Sequence, residues 1–553
     1  MQTRRPRLLS WIALAAIVLL YLLLVIHLHP NNFFGYSQDD TLYFSSAQAI
    51  ADGHGYILPS VPGTPAATKY PILYPWMLSW VWRLNPSFPA NLSIAVALNL
   101  VFGVAYLAAA FIFLRRLPAI GDVWALLLTA ICALNPRILF LSANLMSDIP
   151  FAALALAACL VAAKAIESEA RPKTIVFRGI LAGLSILIRA MGLPVAAGLC
   201  LAILLRAGWR KAMVYAACVL PFAAALFWRS VLLTPGVPAI AASHCAQSWR
   251  TTWLYYTSYA GFWRADVLSH GAFWQTVASN LRSVLVQPAM YFVQWTFIHS
   301  EVLALVLLMA LTAMAVRGAI RLIRMTGWEP ILLVLGFSIL PMLIWDYAVV
   351  DRFMIPFLPL ICAAIFTEMR HIVLLVRHAP GKNGTGERRI AAGFLGLSAA
   401  VLLWGMIVSW RGEVHALAKA SEERAALLNE KRAAYAWLKQ NTASNARVVA
   451  YEDASLFLYS GRQSLRPVIF SASGVYRPEV LNAELACINS NAAYIGAAYW
   501  MVSDDDFKSE WEPASSRAHE REQEMEKMLR PVFRSEHGGV RIYKLDSDGQ
   551  SAI

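Results

Sequence analysis

Two carboxylates stand side by side at Asp39 and Asp40, in the stretch GYSQDDTLYF, just after the first long apolar run of the chain. Other ionisable residues interrupt apolar surroundings: Lys69 in TKYPILYPW, Asp148 in NLMSDIPF, Arg189 in LIRAMGLP, and Asp346, Asp351 and Arg352 in IWDYAVVDRFMIPFLP. A carboxylate can take a proton from an attacking group, and a guanidinium or ammonium can neutralise an anion. Asp39, Asp40 and Asp148 could also hold a Mg²⁺ or Mn²⁺ between hard oxygen ligands, although no metal is expected to be obligatory. Adjacent acids cannot lie on opposite sides of a glycosidic bond, so this pair is not the two-carboxylate device of a glycoside hydrolase.

Each residue also has a plain structural reading. Ser37-x-x-Asp40 fits a capping box for a helix over roughly 38–52, and Asp39 would then sit at the positive end of its dipole. Lys69 could snorkel to an interface, Asp351 and Arg352 could pair across a turn, and Arg189 could pair with a nearby acid. Asp148 could cap a helix that has Pro150 in its first turn. What distinguishes the set is its convergence on one side of a membrane.

The elements that must bring this about are apolar helices. The 553-residue chain is 58% hydrophobic and only 15% charged, which no ordinary soluble domain matches. Residues 8–28 are long enough to cross a bilayer, follow Arg4, Arg5 and Arg7, and lack a small-residue cleavage site, so they read as an uncleaved signal anchor. Ten more apolar runs follow, near 91–114, 122–141, 149–166, 174–190, 191–206, 210–232, 290–316, 329–347, 353–370 and 390–410. With a cytoplasmic N-terminus, every second connection carries the bases: Arg115 and Arg116; Lys164, Arg171, Lys173 and Arg178; Arg206, Arg210 and Lys211; Arg317, Arg321 and Arg324; then Arg370, Arg377, Lys382, Arg388 and Arg389. The net charge of +13 therefore reports membrane topology and not a nucleic-acid partner.

This topology places all the candidate residues outside, with a first outer loop over 29–90 and a second over 233–289. The second loop is rich in aromatics (SWRTTWLYYTSYAGFWRADVL), which suits interfacial anchoring or the wall of a ligand site. Of seven cysteines none forms a CxxC pair; only Cys245 and Cys487 fall outside, where a disulfide between them is conceivable although spacing does not support it. Residues 1–411 read as the membrane domain and 412–553 as an outer α/β domain, with β-like pieces ARVVAYE, AAYIGAAYWMVS and GVRIYKLD. Gly384 and Gly386 mark an inner loop.

The first outer loop resembles that of the GT-C glycosyltransferases, the polyprenyl-phosphate-sugar-dependent membrane family that includes protein O-mannosyltransferases and aminoarabinose transferases. That family has an acidic pair followed by a Tyr and an Ala-rich helix, matched by Asp39, Asp40, Tyr43 and FSSAQAIADGHGY. Lys69, Pro71 and Tyr74 match its K-x-P-x-x-Y segment, Asp148 its acid between the third and fourth helices, and DRFMIPFLP its late Arg-aromatic-Pro segment. YAWLKQNTASNARVVAYEDASLFLYSGR resembles the outer domains of bacterial members. The departure is Asp40, where Glu is commoner.

The resemblance implies a polytopic α-helical membrane protein of GT-C type, with about eleven transmembrane helices and a C-terminal α/β extracytoplasmic domain. It implies a bacterial inner membrane location, with the N-terminus cytoplasmic and the C-terminal domain periplasmic. The implied reaction moves a sugar from a polyprenyl-phosphate carrier to a lipid, glycan or protein acceptor, with inversion and an Asp base. Asp39 would be that base, with Asp40 and Asp148 beside it; Arg352, Lys69 and Arg189 would face the lipid phosphate, and Tyr43 and Tyr74 the substrate. A transporter or flippase would instead place its charges at mid-helix, and a ligase using lipid-diphosphate donors would lean on Arg250, Arg264 and Arg282.

Overall fold

The computed structural model describes residues 8–118, 120–167, 172–240, 243–326, 330–346, 350–378, 386–508 and 510–545. Gly384, Arg171 and Lys382 of the inner connections lie outside them.

Among the described residues the apolar runs are mainly helical. Among the described residues six helices are long and apolar enough to cross a membrane: Leu8–His27, Leu92–Arg116, Trp209–Leu232, Glu301–Thr326, Ile355–Arg377 and the apolar part of Ala392–Asn441. A seventh span arises if Asp122–Ala133 and Pro136–Ala143, bent by 55°, are one. Pro136 has no N–H to continue the ladder, and Asn135 restarts the helix by accepting from the Arg137 N–H at 3.1 Å. Shorter apolar helices at Asp148–Val161, Gly192–Ala207 and Pro330–Ile344 fill the bundle. The run read as 290–316 begins as a helix only at Glu301, because Phe273–Met290 forms a separate helix before it. Glu301–Thr326 packs closely on Leu358–His378, where Gly318 lies against the backbone of Ala364 and a side chain could not fit.

The last apolar run does not end at the composition change near residue 412. It continues as one helix, Gly386–Asn441, which carries the chain out of the bundle to the first strand at Arg447. The strands β1 (Arg447–Val449), β2 (Gln463–Leu465), β3 (Tyr499–Ser503), β4 (Pro531–Arg534) and β5 (Val540–Lys544) form one sheet in the order β2-β1-β3-β5-β4. β1 is parallel to both β2 and β3, whereas β5 is antiparallel to β3 and β4.

Several ties fix this sheet domain to the membrane part, among them a disulfide, a buried carboxylate and an arginine of the long helix. Cys245 in the second loop is disulfide-bonded to Cys487, so the pairing that spacing did not support is present. Both partners of such a bond belong to an oxidising compartment. Asp266 accepts from the backbone N–H groups of Ala472 at 2.8 Å and Ser473 at 3.2 Å. Arg424 on the long helix donates to the carbonyls of Asn32 at 3.0 Å and Phe34 at 3.1 Å, while pairing with Glu452 at 3.0 Å. Gly35 beside them has φ +88 and abuts Ser455 and Glu452, so a side chain there would be strained and would clash with the sheet domain.

Candidate active site at the junction of bundle and sheet

The first α-helix of the first outer loop is Asp39–Ala51. Its N-cap is Gln38, whose φ of 52° is left-handed, and Ser37 makes no capping box. That strained residue is over-determined by its neighbours. Its side-chain amide donates to Asp453 Oδ1 at 3.0 Å and accepts from Tyr255 Oη at 2.7 Å. Tyr256 Oη donates to the other Asp453 oxygen at 2.6 Å. The sheet domain and the second loop thus jointly set the residue immediately before Asp39.

Asp39 turns into a cavity of about 190 Å³ lined also by Lys69, Tyr70, Arg189, Tyr255, Tyr259, Trp345, Asp346, Arg352, Arg466 and Glu510. Its Oδ1 accepts from Tyr70 Oη at 2.6 Å and its Oδ2 pairs with Arg352 Nη2 at 3.2 Å. Arg352 reaches simultaneously to Asp148, with Nε to Oδ1 at 3.2 Å and Nη2 to Oδ2 at 3.0 Å. Arg189 donates to the same Asp148 oxygen at 2.9 Å and to Ser147 Oγ at 3.0 Å. Burial opposes the charge on Arg352, yet Asp148 and Asp39 raise its pKa well above the ordinary value. Four helix ends from distant parts of the sequence therefore meet in one ion-paired group.

Lys69 lies differently. Its ammonium sits 3.8 Å from the centre of the Tyr255 ring, 5.0 Å from Tyr70 and 5.4 Å from Tyr259. Burial lowers its pKa to about 8, with Asp39 opposing the shift. Arg352 has two carboxylates, whereas Lys69 has aromatic faces, so Lys69 is the cation better placed to receive an incoming anion. The aromatic second loop supplies Tyr255, Tyr259 and Phe262 to this wall.

Five of the ten residues singled out from the sequence line the cavity: Asp39, Lys69, Arg189, Asp346 and Arg352. Asp148 is only 1% exposed and stands behind Arg189 and Arg352, holding both. Asp40 is turned away, its carboxylate accepting from the N–H groups of Gly35 and Thr41, both at 2.8 Å. Burial raises its pKa to about 7 against those two bonds. Tyr43 and Tyr74 form the packed floor, with ring centres 5.4 Å apart, and neither lines the cavity. Asp351 pairs with Arg137 rather than with Arg352. Arg250, Arg264 and Arg282 are not in the lining.

The carboxylates do not suit a shared metal. Asp40 spends both oxygens on backbone N–H groups, and a guanidinium occupies the position between Asp39 and Asp148. Among the described residues the one cluster with metal-ligand spacing is His244, Cys245 and Cys487, whose sulfurs are already bonded to each other.

A second cavity of about 640 Å³ adjoins the first, and Ser37, Tyr255, Arg352, Arg466 and Glu510 line both. Its other walls include apolar Phe140, Leu141, Met146, Ala416, Leu417 and Ala420, with Arg137 and Glu413 among them.

No family model and no curated protein matches the sequence. The fold is nevertheless shared with solved structures. The apo oligosaccharyltransferase of Archaeoglobus fulgidus aligns with a TM-score of 0.53 at 12% identity, over 89% of this chain and 70% of that one. The same organism's oligosaccharyltransferase AglB, in complex with an inhibitory peptide and a dolichol-phosphate, aligns with a TM-score of 0.52 at 13% identity, over 97% and 74%. ArnT from Cupriavidus metallidurans bound to undecaprenyl phosphate aligns over 98% of this chain and 99% of its own at 10% identity, with a TM-score of 0.46. The chain shares the fold of these solved structures: a polytopic helical bundle with an appended α/β sheet domain.

Proposed function

We propose that this chain is a membrane glycosyltransferase that moves a sugar from a polyprenyl-phosphate carrier to an acceptor hydroxyl or amine. The observation that carries the reading is Asp39, a carboxylate lining a cavity that also holds the aromatic-caged cation Lys69. A base and an anion-binding group facing one space are what displacement at an anomeric carbon requires. The fold shared with a dolichol-phosphate-binding oligosaccharyltransferase adds support for the donor class.

In this reading the acceptor oxygen or nitrogen forms its bond to the anomeric carbon as the bond to the phosphate oxygen breaks. The acceptor proton passes to Asp39, and the electron pair of the broken bond leaves with the lipid phosphate. A carboxylate is too weak a base to strip a hydroxyl beforehand, so proton transfer accompanies attack. Tyr70 and Arg352 hold the two Asp39 oxygens in place, at 2.6 and 3.2 Å, so the acid needs no reorganisation. Lys69 meets the charge developing on the phosphate, and in-line attack inverts the sugar. The phosphate leaves without a proton, which explains why one acid suffices where glycosidases need two.

Asp148 and Arg189 act through Arg352 and Ser147 as positioning residues. Arg352, read from the sequence as the first phosphate contact, serves chiefly to orient Asp39. The site lies at the helix ends opposite the base-rich connections, which supports a cytoplasmic N-terminus and a periplasmic site in a bacterial inner membrane. The larger neighbouring cavity, with apolar walls and a charged rim, suits the acceptor. No step needs a metal. Clustering at helix ends also speaks against the transport reading, which requires charges along a pathway.

The test is transfer of radiolabelled sugar from a panel of polyprenyl-phosphate sugars in membrane vesicles. Donor-dependent transfer that Asp39→Asn abolishes, with the variant folded, is the expected result. Full activity in Asp39→Asn would remove the base assignment, and no donor consumption by wild type would remove the reading.

A further inference from the structure

Arg466, delivered by the sheet domain, lies where the two cavities meet. It follows β2 and precedes Pro467, and its backbone N–H donates to Tyr256 Oη at 3.2 Å. Its guanidinium lies 4.1 Å from the centre of the Tyr451 ring and 3.5 Å from Glu510 Oε1. That carboxylate oxygen also accepts a tighter bond, 2.6 Å, from Tyr451 Oη. The side chain is 9% exposed, and its Nε is buried without a hydrogen-bond partner.

A buried guanidinium N–H left without an acceptor costs free energy unless a ligand completes it. The other two cavity arginines are committed, since Arg352 and Arg189 both bind Asp148. Arg466 has one long ion pair and an unfilled donor. It lines the same cavity as Lys69 and Tyr255, the ring on which Lys69 sits, and lies near enough to Lys69 to disfavour that residue's charge. Two cations in one cavity repel until an anion joins them.

Resting on the donor class argued above, we propose that Arg466 is a second phosphate-binding residue, which with Lys69 brackets the lipid phosphate of the donor. The sheet domain is then part of the active site. Guanidinium geometry matches two phosphate oxygens, and an ammonium on the opposite side supplies a point charge. Assembly of the site requires the sheet domain to be docked, which the Cys245–Cys487 bond and the Asp453 contacts secure.

The experiment uses the full-length protein in nanodiscs and compares binding of undecaprenyl phosphate with that of undecaprenol, its uncharged analogue, with inorganic phosphate as competitor. Arg466→Ala is expected to weaken undecaprenyl phosphate about tenfold or more, the size of one charge-assisted contact, with undecaprenol unchanged. Arg466→Lys should recover part of the loss. Inorganic phosphate that competes with the lipid in wild type but not in Arg466→Ala would assign the contact to the phosphate group itself. A loss of both lipids alike, or of neither, in Arg466→Ala would overturn the assignment. Glu510→Gln keeps Arg466 and frees its guanidinium, so it should favour the phosphate lipid over the alcohol, and an unchanged ratio would count against the proposal even if Arg466→Ala did not fold. If wild type itself did not discriminate between the two lipids, the donor reading would fail first, and Arg466 with it.

Discussion

Lys69 gives the sharpest test, because the same desolvation that readies it for an anion destabilises the fold. Burial takes its pKa from 10.5 to about 8. At about 1.4 kcal/mol for each tenfold change, keeping it charged near pH 7 costs the folded state about 3 kcal/mol relative to the unfolded chain. The sign follows from the direction: a lysine with a lowered pKa penalises the fold below its folded pKa, and the penalty fades as pH climbs from there toward 10.5. Lys69→Gln removes the charge and keeps most of the chain length. Loss of the contacts with the Tyr70, Tyr255 and Tyr259 rings offsets part of the gain, by about 0.5–1 kcal/mol or more. The variant should therefore melt higher than wild type at pH 7, by about 2 kcal/mol in stability. Between pH 7 and 9.5 the gap should close by about 2 kcal/mol, as wild type sheds its proton and the variant does not. Thermal unfolding of both proteins in one detergent, followed by intrinsic tryptophan fluorescence across that pH range, measures it. Donor binding should be lost in the variant and should fall in wild type above pH 8. A variant that melts lower at every pH, with a constant gap, would refute the claim that Lys69 is a desolvated cation waiting for a partner.

Arg352→Lys should retain charge but lose the simultaneous contact with Asp39 and Asp148, so turnover should fall far more than donor affinity; steady-state kinetics on the donor separates the two. Arg352→Ala leaves both acids without that guanidinium and should cost about 3–5 kcal/mol, read as a lower melting temperature. Asp40 has a pKa raised to about 7, so it penalises the fold above that pH and not below its ordinary value. Wild type should gain stability relative to Asp40→Asn as pH falls from 7 toward 4, in parallel melts. Replacing Cys245 and Cys487 by Ser should cost about 2–5 kcal/mol and remove the mobility shift on reduction in gels.

Much of the site could be read in advance because membrane helices leave so few places for charge. Asp39, Lys69, Asp148, Arg189 and Arg352 stand out against apolar neighbours, and alternation of basic connections puts them on one side. What could not be read was which charges would pair. Asp351 and Arg352 are adjacent yet take different partners, because consecutive residues on the short Val350–Phe353 helix point in different directions. The sequence sets Asp40 beside Asp39 in the site, but adjacent helix positions diverge by about 100°, and Asp40 faces the Gly35 turn. Arg466 and Glu510 gave no signal, since charged residues are ordinary in a soluble domain and only docking onto the bundle makes them part of the site. Tyr255 and Tyr259 were visible as an aromatic cluster, with anchoring and a ligand wall as the two readings; both line the cavity.

In the sheet, the pieces containing β1, β3 and β5 carry the β-branched and aromatic residues that betray a strand. β2 (QSL) carries neither type and β4 (PVFR) only Val532 and Phe533 after Pro531; both are short edge strands that the neighbouring strand recruits. Similarly, the charged face of residues 412–441 looked like a new domain's first helix. It is the same helix leaving its apolar surroundings.

That unbroken helix of 56 residues makes its length a matter of phase. At about 1.5 Å per residue it measures about 84 Å, of which a hydrocarbon core of about 30 Å takes little more than a third. The remainder works as a rigid mast that sets both the height and the heading of the sheet domain over the bundle. One residue inserted in it would swing that domain by about 100° and lift it about 1.5 Å, pulling Asp453 and Arg466 off their marks. An insertion of eleven residues would restore the heading but raise the domain by about 16 Å. Change in length should thus be rarer in this segment than in any loop of the protein, a constraint imposed by screw geometry and not by any single side chain.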